Sequence, residues 1–222
     1  MESNNRPVPR SGQIPVAEHL RAGWQIREIA PDFEIEDVWA LPATGPLSDF
    51  DRCLELMLRG ESMGDRSPVS QFLWWFRDQL GRFGFGRITQ GLDEPAQPIP
   101  TTLGEEPTTS TTVSDRLPAD LQHTVARDFV PPTTPFRAVY RTEREYVAEL
   151  SNATVHSLMH IGWADRGDGL YQAEMAVYTK PRGTLGRAYM AFIKPFRMAF
   201  IYPDLLRSID RRWRAEKAAT AG

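Results

Sequence analysis

The hydrophobic period changes along the chain, and each change predicts an element. From Pro31 the run DFEIEDVWALP sets Phe33 and Ile35 against Glu34 and Glu36, an alternation that predicts a strand. Ser48 or Asp49 then offers a helix cap. Phe50, Cys53, Leu54, Met57 and Leu58 follow at helical spacing, and Gly60 supplies a stop. A second helix is expected after Ser67-Pro68, with the stripe Val69, Phe72, Leu73, Phe76, Leu80 and Phe83 widened by Trp74 and Trp75. Between Gly84 and Pro135 both periods vanish. This stretch is dense in Pro and Thr and reads as a long surface excursion with a short helical turn near Ala119 to Val125.

Period two returns at Phe136. FRAVYR, REYVAEL, NATVHSLMHIGWA and LYQAEMAVYTK read as successive strands joined by short turns, which is an antiparallel meander. After Pro181-Arg182-Gly183 the pattern turns helical. Arg187, Lys194, Arg197, Asp204, Ser208 and Arg211 form one polar stripe. Tyr189, Phe192, Ile193, Phe196, Phe200, Ile201, Leu205 and Ile209 fill a wide apolar remainder. Pro195 and Pro203 should kink or split this helix. An α+β fold meets the whole order: a curved antiparallel sheet wrapped around a long C-terminal helix, with two short helices after the first strand.

The chain has 222 residues, the length of one sizeable domain. Residues 1–22 read as a flexible polar tail, 23–217 as a single domain that includes the 84–135 excursion, and 218–222 as a second tail. A net charge of −3 argues against binding to nucleic acid. The N-terminus has no apolar core to serve as a signal peptide. The most apolar run, AYMAFIKPFRMAFIYPDLL, is too interrupted to span a membrane. A reduced, cytoplasmic protein is the expectation.

Two of the four histidines, His156 and His160, lie in the third strand of the meander. Alternation puts Val155, Ser157, Met159, Ile161 and Trp163 on one face, and His156, Leu158, His160 and Gly162 on the other. The odd-numbered face should be buried and the even-numbered face wet. Pairing Trp163 with Tyr171 across the turn would set Met159 against Met175, His160 against Glu174 and His156 against Tyr178. Strand residues four apart lie roughly 13 Å from each other, so the histidines cannot share a metal ion and no metal site is expected. A His160–Glu174 pair on the outer face is the plain reading. A catalytic role for His156, His160 or Glu174 would need a concave site on that face.

Other motifs offer little chemistry. GRFGFGR lacks the GxGxxG spacing and follows a helix, so no nucleotide-binding domain and no cofactor are expected. Cys53, the single cysteine, falls on an apolar helical stripe and fits core packing. No serine stands in a GxSxG elbow. The basic run RSIDRRWRAEK suits a solvated helix end. Contact of Arg and Trp213 with an anionic membrane surface is the alternative.

TVHSLMHIGW, followed by MAVYTKPRGTLGRAYMAFIKPFRMAFIYPDLLRSI, with DRLPADL upstream and PDFEIEDVWALP near the start, resembles a bacterial family known only as a domain of unknown function. That family resembles the START-like, helix-grip (SRPBCC) superfamily, and it is sometimes appended to short-chain-dehydrogenase-like proteins. The resemblance spans roughly Pro31 to Trp213. It implies an apolar cavity between sheet and C-terminal helix, of the kind that holds lipids or polyketides in some members and hosts cyclisation or hydrolysis in others. The residues expected to line it are Tyr140, Met159, Trp163, Tyr171, Met175, Tyr189, Phe192 and Phe196. The leading expectation is a protein that binds a small hydrophobic molecule. A cyclase, isomerase or hydrolase using the same cavity is the first rival, and a module that contacts a partner or membrane surface is the second.

Overall fold

Six antiparallel strands form one sheet over the residues that the computed structural model describes, which are 11–59, 113–124, 136–151, 155–181 and 183–220. They are β1 (Gly12–Gln13), β2 (Glu34–Gly45), β3 (Arg137–Arg141), β4 (Glu145–Ser151), β5 (Val155–Gly167) and β6 (Leu170–Pro181), in the order β1-β2-β6-β5-β4-β3. The short helices α1 (Val16–Leu20) and α2 (Ile26–Ile29) precede β2, and α3 (Phe50–Arg59) follows it. The C-terminal helix comes in two pieces, α4 (Gly183–Phe196) and α5 (Tyr202–Thr220), joined by a π turn over Arg197–Ile201. The expected first strand, first helix, meander and terminal helix are all present. The helix expected after Ser67 and most of the 84–135 excursion lie outside the described residues. Within the excursion, Val113–Arg116 forms a 3-10 turn and residues 119–123 form turns rather than a helix.

The register differs from the expected one by two residues. Trp163 pairs with Ala173, Ile161 with Met175, His160 with Ala176 and His156 with Lys180. The cause is the β5–β6 turn. Asp168 (φ 53°) and Gly169 (φ 74°) occupy the left-handed region, as a two-residue hairpin turn requires. Both strands therefore run on to Gly167 and Leu170, with a bulge after Asp165. A shift of two keeps every side chain on its face.

The odd-numbered face of β5 is buried, as expected. Trp39, Leu41, Phe50, Leu54, Ile161, Trp163, Met175, Tyr202, Ile209 and Trp213 form one apolar cluster beneath α3 and α5. Trp163 lies between Phe50 and Trp213, with ring centroids 6.0 and 6.2 Å away. Its indole N–H donates to the Pro46 carbonyl.

The even-numbered face is not wet. Residues 11–33 cross it, burying Trp24, Ile26, Ile29 and Phe33 against Val38, Leu158, Ala176 and Tyr178. Residues 11–22, expected within a tail, thus carry β1 and α1, and β1 pairs with β2 at Trp39 and Ala40. His19 is fully buried. Only a few large side chains, Ile14, His19 and Trp24 among them, hold this stretch to the sheet.

Pro195 and Pro203 bracket the π turn. Proline donates no backbone hydrogen bond and crowds the preceding turn, so a local widening takes up the misfit. The helix does not bury the whole of its apolar surface: Phe192 and Phe200 are 50% and 53% exposed.

Candidate functional site

Polar groups are buried on both sides of the sheet, in two separate clusters. The first lies under the N-terminal segment and gathers three of the four histidines. His19 Nδ1 is 3.0 Å from Glu174 and 3.1 Å from the Trp24 indole nitrogen, and His19 Nε2 is 2.9 Å from the Tyr178 hydroxyl. Nδ1 can either donate to Glu174 or accept from Trp24 but not both, so the tautomer decides which bond is made. Arg166 donates to Glu174 at 2.8 Å and to Glu18 at 3.0 Å. Glu145 accepts from the Gln25 backbone N–H and the Tyr140 hydroxyl at 2.8 and 2.7 Å. It lies 3.4 Å from His160 Nε2, which makes no hydrogen bond of good geometry, nor does Nδ1. His156 stands 3.2 Å from Glu149, which also accepts from Arg137 at 2.7 Å.

Burial of His160 pushes its imidazole below the ordinary range, and Glu145 opposes that only in part. Burial would raise Glu145 and Glu149. His160, Gln25 and Tyr140 bring Glu145 below its ordinary value, and His156 and Arg137 do the same for Glu149. The expected His160–Glu174 pair is replaced: the shifted register sets Gly162 opposite Glu174, which turns to His19 and Arg166. His156, His160 and Glu174 do occupy the even-numbered face, but they are interior groups rather than outward ones. Gly162 completes the cluster. A Cβ there would stand 2.7 Å from the Trp24 ring and 2.8 Å from His160, so glycine lets the indole lie against the strand.

The second cluster lies on the opposite side, between β2 and the π turn. A bulge between Ile35 and Asp37 breaks the alternation of β2, so Glu36 and Asp37 both reach toward the C-terminal helix. Asp37 Oδ1 accepts from the Tyr202 hydroxyl at 2.7 Å. Arg197 Nη2 is 3.3 Å from both Asp37 Oδ2 and Glu36 Oε1, and Lys194 is 3.0 Å from Glu36. The Asp37 side chain is fully buried, yet its Oδ2 has no hydrogen bond, and neither do Arg197 Nε and Nη2. Burial raises the Asp37 carboxyl, against the pull of Tyr202 and Arg197.

From Asp37 a row of side chains crosses the same face. Val177 pairs with Asp37, Met159 with Val177, Ala148 with Met159 and Ala138 with Ala148. Met159 and Val177 are only half-buried.

Of the residues expected to line a cavity, Met159, Trp163, Tyr171 and Met175 pack on this helix-facing side. Tyr140 does not. A bulge between Ala138 and Tyr140 turns it to the other face, where it meets Glu145. Phe192 is half-exposed, and the side chains of Tyr189 and Phe196 lie outside the described residues. Trp213, the aromatic of the supposed membrane contact, is buried and donates to the Thr44 carbonyl. Asp37, Arg197, Tyr202, His19 and Glu145 were not expected as site residues. Two acidic residues in succession inside an apolar strand, and Arg197 and Tyr202 set between two prolines, were the signals available for the second cluster.

Among the described residues, no three His, Cys, Asp or Glu side chains are arranged to hold a metal ion, and no helix is long and apolar enough to cross a membrane. The fold and the two clusters define an α+β protein in which one antiparallel sheet carries buried polar groups on both faces. Within that class the chain belongs to the family described as "Protein of unknown function (DUF2867)", which matches residues 29–204. No curated protein and no solved structure matches the chain.

Proposed function

We propose that this chain is a START-like, helix-grip protein that holds a small, largely hydrophobic molecule between its sheet and C-terminal helices. The observation that carries the reading is the half-buried Met159–Val177 row running into the buried Asp37. An apolar floor that ends in a few polar groups is the usual composition of a small-molecule site. Two further features support it. The first long strand pairs with the last, and α5 lies along β2 while α4 touches β6, as a helix gripped by a sheet would. Met159 and Met198 supply adaptable surface beside Tyr171 and Met175. Tyr189 and Phe196 belong to the proposed lining by sequence position alone. The same reading has the protein working in the cytoplasm and, on its net charge of −3, without nucleic acid.

An enzyme working in this container is the second reading, and the feature that favours it is Asp37, a buried acid whose proton is held more firmly than usual. His156, His160 and Glu174 lie across the sheet and would not serve. Native mass spectrometry of gently purified protein, together with uptake of the neutral dye N-phenyl-1-naphthylamine, tests the container. Dye fluorescence should rise on mixing and be lost in a Val177→Trp variant that keeps its circular dichroism. A clean apo mass with no dye uptake would defeat the proposal.

A further inference from the structure

The π turn has a geometric effect that a regular helix would not produce. At 3.6 residues per turn, Arg197 and Tyr202 would point about 140° apart. The wider i→i+5 turn aligns residues five apart, and here both side chains reach the same carboxylate, Asp37. On the strand side, the β2 bulge delivers Glu36 and Asp37 to that point in succession. Two irregularities in facing elements thus converge on one buried carboxylate.

The hydrogen bonding of the cluster is incomplete on one side. Tyr202 satisfies Asp37 Oδ1, while Oδ2 has the Arg197 guanidinium at 3.3 Å and the Trp39 indole near it but no hydrogen bond of good geometry. Arg197 Nε and Nη2 are buried donors without acceptors of good geometry. Buried polar groups ordinarily find partners, and leaving them without any is destabilising. The charges are already balanced, with Glu36 and Asp37 facing Lys194 and Arg197. A ligand anion would meet two carboxylates, and a ligand cation would meet Lys194 and Arg197. The complement is a neutral head group that offers a hydrogen to Oδ2 and a carbonyl oxygen to the guanidinium.

We propose that Asp37 and Arg197, aligned by the β2 bulge and the π turn, bind the neutral amide-like or hydroxy-carbonyl head of an amphipathic ligand whose apolar tail lies along Val177 and Met159. This deepens the container reading above and rests on it. Binding of octanamide, octanoate and octylamine, three probes with one tail and different heads, is measured by displacement of the dye at neutral pH. Octanamide should bind about tenfold or more tighter than either ion, the worth of a hydrogen bond to a charged group. In Asp37→Asn the carboxylate is gone and Arg197 is less engaged. Octanamide should then weaken by a similar factor while octanoate tightens, a reversal that a structural role alone would not produce. Should Asp37→Asn fail to fold, Arg197→Met gives the same loss of octanamide preference without the gain for octanoate. If the probes displace the dye equally well and neither variant changes their order, the head-group proposal is overturned while the container stands. If neither dye nor probe binds, both fall.

Discussion

Gly162→Ala isolates the seat of Trp24. In a strand interior, glycine is less stable than alanine by about 0.5–1 kcal/mol, so an unobstructed methyl would stabilise the protein. Here the new Cβ would stand 2.7 Å from two atoms of the Trp24 ring and 2.8 Å from His160 Cε1, well inside van der Waals contact. Trp24 is 2% exposed and has little room to withdraw. Overpacking of this kind costs roughly 1–3 kcal/mol, so the clash should outweigh the gain. A net loss of about 0.5–2 kcal/mol is expected, read as a lower urea midpoint at unchanged slope. Trp24→Leu removes the ring edge and also gives His160, whose ring centre is 5.0 Å from that of Trp24, space to move. In that background Gly162→Ala should become neutral or stabilising. The two changes should couple by about 1–2 kcal/mol, well beyond the roughly 0.3–0.5 kcal/mol within which independent sites add. Additive losses, or a Gly162→Ala variant as stable as the parent, would refute the seating of Trp24 on β5 and with it the cover over the histidines.

Stability should fall with acid in two stages. His160 is depressed below its ordinary 6.5, so its contribution is fully present above that value and is lost as pH falls beneath it. Glu145 and Glu149, depressed below 4.5, add a second loss under that pH. Urea midpoints measured from pH 7.5 to 3.5 should show both stages, and a flat curve between 7 and 5.5 would contradict a buried neutral His160. Asp37 has the opposite sign. Its raised carboxyl stabilises below the ordinary 3.8 and loses that contribution as pH rises through the folded value, so Asp37→Asn should lift the midpoint more at pH 7.5 than at pH 4. Tyr202→Phe should cost about 1–3 kcal/mol by calorimetry, because it strips the one hydrogen bond from a buried carboxylate. Cys53, fully buried and with its thiol pushed up to about 12, should react with a disulfide reagent only at the rate of global unfolding.

Strand and helix periods made the central frame legible, because β5 and β6 each have one face packed against α3 and α5 and alternate accordingly. They misled on the other face. His156, His160 and Glu174 are polar by residue type, and the tertiary cover from residues 11–33 and 113–121 makes them interior. Nothing in local periodicity announces a short segment that folds back onto a distant sheet. The bulges in β2 and β3 explain the remaining errors at the site. One extra residue inverts the parity that alternation relies on, which turned Tyr140 away from the expected lining and brought Asp37 toward it. The hairpin Asp168-Gly169 was readable as a turn. Its two-residue length, which sets the register, was obscured by three further polar or glycine residues before it.

The stretch that hides the histidines ends almost where the family match begins, at residue 29. A chain trimmed to that boundary would keep all of β2 to β6 yet surrender His19, Trp24 and the Gln25 amide. Glu145 and Glu174 would then lose their cover beside Leu158 and Val38, and the edge of β2 at Trp39 and Ala40 would stand open for another chain to pair with. A unit that keeps this cover therefore starts some seventeen residues earlier, at Gly12, than the family match does.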